Sequence, residues 1–282
     1  MPPEGAHATV GAMSAPPAQA TVLPLSLVVP GRLTAPGGAR GLGRVRDLVV
    51  HLGAERYPPV TGALVEVAHR LAYVPADQVA ALRPGRVELR TPRLDLRPFA
   101  RRPDEVLLRE DVLDRQLVNL DGARLVRAND IGLARVQGWY RVAGVDTSLR
   151  GLVRRILPRW AARRLEPGAV LDWASVEPLV GHVPGLRLTA PHPRLARLHP
   201  AQIADLIEAA SHAEGDEILA AAAGDRELEA DVYEELDDHH RSEFMRARPD
   251  AEVAAVLARM ESDDAADLAA AILQIHAEGM AL

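Results

Sequence analysis

The spacing of proline and glycine along the chain changes once, near residue 200, and that change limits the fold more than any single motif. From about residue 22 to 190, "PGRL", "PGG", "YPP", "RPG", "LDG", "EPG" and "VPG" separate apolar runs of four to seven residues. Many of these runs alternate or are β-branched, as in "RVRDLVV", "GALVEVA" and "LAYVPADQV", the pattern of short antiparallel strands expected to close into a barrel. Beyond Pro200 the breaks become sparse, and "AQIADLIEAA" spaces its apolar residues for one helical face. The expected architecture is multidomain, β followed by all-α.

Internal repetition sharpens both halves. "LGRVRDLVV" at 42–50 matches "LVRANDIGL" at 125–133, each after a Gly-Ala-Arg turn, and "YVPADQVAAL" at 73–82 matches "LDWASVEPL" at 171–179. Two copies of one small β unit are expected, at about 22–100 and 101–190. The hairpin in "LDGARLVRAND" is expected to take its positive φ from Asp121-Gly122.

In the second half, "DLIEAA" at 205–210, "DVYEEL" at 231–236 and "AVLARM" at 255–260 align at nearly equal intervals. Each copy would be two short helices that bury an apolar face only by stacking on a neighbour, which builds an α-superhelix. Pro200 suits a first helical turn, Ser211 with Glu214 is a capping box, Pro249 opens another helix, and Ser262 is a good N-cap for the last one.

The second β copy, "DVLDRQLVNLDGARLVRANDIGL", resembles the PRC-barrel, a small adaptor β-barrel found in the photosynthetic reaction centre H subunit and in a ribosome maturation factor. Its strand, hydrophobic turn, Asp121-Gly122 and Arg127 carry the resemblance. Residues from about 195 to 282 resemble the cytoplasmic N domain of MgtE-type magnesium transporters, through "LARLHPAQIADLIEAA", "EADVYEEL" and "RMESDDAADLAAAI". The expected layout is a Pro/Ala-rich tail at 1–21, a PRC-like β region at 22–190, a linker at 191–199 and an MgtE N-type superhelix at 200–282. No CBS-like alternation follows before Leu282, so the resemblance implies a shortened chain or a short family member.

Charge divides the chain in the same place. From Pro200 onward there are 21 Asp and Glu against five Arg, roughly −16, whereas the earlier residues hold 28 Arg against 18 acids, roughly +10. The early Arg residues are scattered among strand-like runs without interleaved aromatics, so a nucleic-acid partner is not expected. "TSLRGLVRRILPRWAARRL" at 147–165 has helical spacing and is strongly basic; a packed or solvated connector and an exposed partner surface are both open, the connector favoured. With no cysteine, disulfides and thiolate sites are excluded and a reducing cytoplasm fits best. No secretory pattern opens the chain and no apolar run is long enough to span a bilayer, so direct membrane insertion is not expected. The serines lack a histidine and acid constellation and no glycine-rich phosphate loop is present, so the chain is not expected to be an enzyme.

Two acids of "MESDDAADLA", Asp263 and Asp267, stand one helical turn apart and so share one helix face, where they repel by roughly 0.2–0.5 kcal/mol. The helix dipole favours Asp263 and Asp264 in the first turn but does not reach Asp267. Magnesium is typically held by one or two carboxylates with several waters, so the pair suffices in kind. The MgtE resemblance implies a sensor in which Mg²⁺ sits between the N domain's acids and CBS domains, with Asp231, Asp263 and Asp267 as ligands. Asp231 stands where the family has a glutamate. The implied partners are CBS domains or an MgtE-type transporter, or a second copy of the chain, and Mg²⁺ binding is expected to be weak without them. The competing expectations are a protein-protein adaptor with no metal role and a PRC-type RNA or ribosome factor. In "DDHH" at 237–240 Asp237 is a natural N-cap, and His192 and His199 are read as linker residues without a site.

Overall fold

A computed structural model describes residues 22–38, 40–53, 55–92, 98–166, 168–184, 186, 192, 194–246, 248–266 and 268–270. The tail at 1–21 and Asp267 lie outside the described residues. The first β repeat contributes β1 (Leu23–Pro24), α1 (Leu25–Val28), β2 (Gly31–Thr34), β3 (Gly41–His51), β4 (Val60–Val67), β5 (Arg70–Pro75), β6 (Val79–Arg83) and β7 (Arg86–Leu89). The second contributes β8 (Glu105–Leu107), a π-helical turn (Leu108–Val112), β9 (Gln116–Asn119), β10 (Arg124–Arg127), β11 (Asp130–Val136), β12 (Trp139–Asp146), α2 (Leu149–Ile156), α3 (Arg159–Ala162), β13 (Val170–Asp172) and β14 (Val176–Pro178). Helices α4 (Pro200–Ala209), α5 (His212–Ala222), α6 (Arg226–Glu235), α7 (Asp238–Arg246) and α8 (Asp250–Leu257) follow, and residues 262–266 and 268–270 are also helical.

The chain forms two compact units, one from residues 1–113 and 129–174, the other from 114–128 and 175–282. In the first, a seven-stranded sheet runs β5-β4-β3-β2-β7-β6 with β8 added beside β3. Its two edge strands, β5 and β6, are joined by a single 3₁₀ turn at Ala76–Gln78. The sheet therefore curls into a half-barrel whose edges are linked by the chain itself. Val45, Leu48, Ala63, Val65, Val74 and Val87 are buried on it, each apolar side chain worth up to about 1.5–3 kcal/mol.

A four-stranded sheet, β1-β11-β12-β13, completes this unit. The two β repeats exchange their first strands: β1 of the first pairs with β11 of the second, Leu23 opposite Leu133, and β8 of the second pairs with β3 of the first, Leu107 opposite Val49. "YVPADQVAAL" and "LDWASVEPL" adopt the same form, a strand, a 3₁₀ turn and a strand, at β5 to β6 and at β13 to β14. The other matched pair differs. Residues 41–51 are one continuous strand, whereas 125–133 break after β10, because the Ala128 N–H donates to Arg115 and the Asn129 N–H to Asp146.

The second unit combines the three-stranded sheet β10-β9-β14 with the helices. Val118 of β9 and Leu179 share one core with Ile203, Leu206, Ile218, Leu219, Tyr233, Phe244 and Met245, so the hairpin placed by sequence in the second β copy packs with the helices. Within that hairpin the positive φ falls on Ala123 (40°), not on Asp121-Gly122. Asn119 stands opposite Arg124, so the loop between them is longer than a two-residue turn and only its last position turns left-handed, while the Asn119 carboxamide accepts the Asp121 N–H at 3.2 Å.

Helices α4, α6 and α8 begin at residues 200, 226 and 250, reproducing the intervals read from the sequence. Each alternates with the second helix of its pair, so the superhelical repeat is present. Pro200 is the first residue of α4, Ser211 and Glu214 form the capping box of α5, and Pro249 is the N-cap of α8. Gly215 lets α5 approach α7 closely, since a Cβ there would lie 2.6 Å from Phe244 Cζ. The last helix starts at the expected cap itself: Ser262 is already helical, and the carbonyl of Glu261, one residue earlier, accepts the Ala265 N–H at 2.9 Å.

Candidate functional site

The acidic surface is built where the end of α6 meets the start of the last helix. Asp225 caps α6 by accepting the N–H groups of Glu227 and Leu228, and the helix then buries Ala230, Val232 and Tyr233 while Asp231 faces solvent. On the next turn after Asp231, the Glu234 carboxylate accepts the Glu261 N–H at 2.5 Å. This bond fixes the first turn of the last helix against α6.

Carboxylate oxygens of Glu261, Asp263 and Asp264 all lie within 4.8 Å of one another at that turn. Glu261 and Asp263 are exposed and Asp264 is half-buried. Arg241 is the cation beside them, 3.6 Å from Asp264, and its guanidinium also donates to the carbonyls of Glu234 and Leu236 at 3.0 and 2.8 Å. Of the residues singled out by sequence, Asp263 belongs to the cluster, Asp231 lies outside it on α6, and Asp267 is outside the described residues. Glu261 is an added member that the spacing of the aspartates did not indicate.

Hard oxygen donors at this spacing fit a hydrated magnesium ion, which takes one or two direct carboxylates and keeps its remaining waters. A second group, Glu208, Asp237 and His240, also brings its ligand atoms together. There Asp237 caps α7, accepting the His240 N–H at 2.8 Å and contacting its Nδ1 at 2.8 Å, while Glu208 accepts the Asp237 N–H. The His240 N–H and ring hold the Asp237 carboxyl below the usual range. This arrangement completes a helix start, in agreement with the sequence reading.

Behind the acidic surface lies a buried ion group. Glu229 is fully buried on α6 and is held by Arg226 at 2.9 Å and by Arg248. The Arg248 guanidinium also sits 5.4 Å from the centroid of the Tyr233 ring. Burial alone would lower the Arg248 pKa, but Tyr233 and Glu229 together raise it, so the group stays charged and ties α6 to the entry of α8.

His192, read from sequence as a linker residue, is buried in the same unit. Its Nε2 lies 2.6 Å from Glu217 Oε1, and its Nδ1 lies 3.4 Å from Glu177 Oε1, a distance at which attraction is chiefly coulombic. Glu177 is further paired with Arg194 at 2.6 Å, and Glu217 accepts the Val180 N–H at 2.7 Å. Burial opposes the charged imidazolium, but the two glutamates prevail and push His192 up to about 9. Burial would raise the Glu217 carboxyl, and its bond to His192 holds it low instead.

Residues 198–278 match the family model of the MgtE intracellular N domain, which relates the helical part of the chain to the cytoplasmic portion of MgtE magnesium transporters. No curated protein and no solved structure matches the chain significantly. The β-rich architecture before residue 198 is compatible with the PRC-like expectation.

Proposed function

We propose that this chain is a magnesium-responsive regulatory module, in which the acidic turn at Glu261–Asp264 together with Asp231 and Asp267 docks against an acidic partner surface only when its charge is neutralised. The observation that supports the reading is the match of residues 198–278 to the MgtE intracellular N domain, with Asp263 a member of the carboxylate cluster it forms with Glu261 and Asp264. Clustered carboxylates repel a second acidic surface, and a hydrated divalent ion supplies the opposing charge. The partner is a pair of CBS domains or an MgtE-type transporter, and the compact arrangement gains population in proportion to its higher affinity for the ion. The Glu234 bond to Glu261 holds the turn ready, so the ion need not order it.

The test is calorimetric titration of Mg²⁺ at fixed ionic strength on the full chain and on Asp263→Asn/Asp267→Asn. Saturable heat lost in the double variant supports a metal-responsive surface. Equal dilution heats in both, unchanged when a CBS partner is added, would leave a protein adaptor with no metal role.

A further inference from the structure

Helix α2 sits on its unit the reverse way round from an ordinary amphipathic helix. Its buried residues are Gly151 and Arg154, and Arg154 is drawn inward by Asp130 at 2.9 Å and Asp146 at 3.4 Å. Gly151 permits the approach, because a Cβ there would meet Asp146 Cγ at 3.1 Å and Asn129 Cβ at 3.2 Å. The helix is thus anchored by ions, and its apolar residues are left outside. Leu149 is 75% exposed, Ile156 77% and Trp160 on α3 70%, with Leu152 and Val153 exposed between them.

At about 3.6 residues per turn, Leu149, Leu152, Val153 and Ile156 form one stripe opposite the buried face, and Arg150 and Arg155 flank it at about 110° on either side. Arg164 adds an exposed charge beyond Trp160. From Thr147 to Leu165 there are six arginines and no acid, in a chain whose net charge is −6.

We propose that α2 and α3 form an interfacial anchor that lies on an anionic phospholipid surface. The stripe enters the boundary of headgroups and acyl chains, Trp160 sits at that boundary, and the exposed Arg150 and Arg164 meet lipid phosphates. Charge complementarity selects this occupant. A convex apolar stripe with arginines along both flanks matches a bilayer, which offers an apolar layer beneath anionic groups in every direction. A protein groove would have to supply acids along two walls. The anchoring is peripheral, since no described helix is long and apolar enough to cross a membrane.

The experiment is co-sedimentation of the full chain with phosphatidylcholine vesicles, with and without phosphatidylglycerol, together with Leu149→Ser/Ile156→Ser. These two side chains are exposed, so the variant keeps the fold, which circular dichroism verifies. The expected result is binding to the anionic vesicles, about tenfold weaker to neutral ones and lost in the double variant, with a blue shift of emission that is absent in Trp160→Phe. Binding that survives the double variant would show attraction by charge alone and overturn the anchor. Absence of vesicle binding, with self-association in sedimentation velocity that the double variant abolishes, would assign the stripe to a protein contact and overturn it equally.

Discussion

Asp47 and Asp130 occupy the same position of the two matched β segments and act as equivalent clamps in the two repeats. Each carboxylate is buried and accepts the N–H of the next residue, Leu48 at 2.7 Å and Ile131 at 2.9 Å. Each also takes hydrogen bonds from a helical turn that belongs to the other repeat. Asp47 accepts the N–H groups of Arg109 and Glu110 at 2.8 and 2.9 Å, and Asp130 accepts the Ser26 N–H at 3.1 Å and its hydroxyl at 2.5 Å. The exchange of first strands and these two clamps are therefore one device, which makes the repeats depend on each other for completion.

Removing either clamp leaves backbone donors, buried at Leu48 and Ile131 and part-buried elsewhere, without their acceptor. Asp47→Ala is expected to cost about 3 kcal/mol, at about 1–3 kcal/mol per unsatisfied group. Asp130→Ala is expected to cost more, about 3–5 kcal/mol, because Arg154 also loses a buried partner. Chemical denaturation monitored by β-sheet circular dichroism checks the order. Burial pushes the Asp47 carboxyl from 3.8 up to about 7 against the pull of the Arg109, Leu48 and Glu110 N–H groups. The folded state thus binds this proton more tightly than the unfolded one, and the associated stability is full below about pH 4 and lost as pH rises towards 7. A carbon-13 carboxyl titration of Asp47 with its midpoint near 4 would contradict this.

The Glu177–His192–Glu217 group acts in a different pH window. His192 is raised from 6.5 to about 9, so its contribution is complete below pH 6.5 and disappears as pH rises through about 9. The shift corresponds to about 3 kcal/mol in the helical unit. The urea midpoint of the helical transition is expected to fall between pH 6.5 and 9.5 in the natural chain, and to stay flat over that range in His192→Ala.

Local signals were legible in the sequence, and long-range pairings were not. Ser211 with Glu214 and Asp237 each needed only a few neighbouring residues to act as caps, as Pro200 did to open a helix, and they do so. The helical repeats were legible because each interval is set by one stacked pair of helices. His192 gave no such sign: its partners lie several turns of chain away on either side, Glu177 before it on β14 and Glu217 after it on α5. Arg154 was hidden for a related reason. A basic helix suggests outward charges, and only the fold brings Asp130 and Asp146 to receive one. In the acidic turn, Asp263 was singled out from its spacing to Asp267, whereas Asp264 was read only as a helix-dipole residue and Glu261 is positioned by its bond to Glu234 on another helix.

Glu229 offers a direct measure of what holds the superhelix together. It has no exposure and two arginine partners, so Glu229→Ala would leave Arg248, itself largely buried, without its closest anion. Loss of one member of a buried pair costs about 3–5 kcal/mol. Glu229→Ala is expected to lower the thermal midpoint of the helical unit sharply, whereas Asp231→Asn, on the same helix but exposed, should change its stability by about 0.5 kcal/mol or less. Equal effects at the two positions would mean that the buried ion group contributes no net stability.

In the proposed reading, Arg241 sets how strongly the acidic turn would respond to a cation. Its guanidinium already stands 3.6 Å from Asp264, and an ion at the Glu261–Asp263–Asp264 cluster must share that carboxylate with it or displace it. Replacing it by glutamine removes one positive charge next to the cluster, worth about 1 kcal/mol at an exposed distance of this size. That corresponds to an affinity for Mg²⁺ about fivefold higher. The same side chain donates to the carbonyls of Glu234 and Leu236, so Arg241→Gln should also lower stability by about 1–2 kcal/mol. The two effects separate in one experiment: titration of Mg²⁺ at constant ionic strength reads the first, and thermal unfolding without the ion reads the second. If Arg241→Gln weakens the response to Mg²⁺ while the helical content is retained, Arg241 is a support of the site and not a competitor for it.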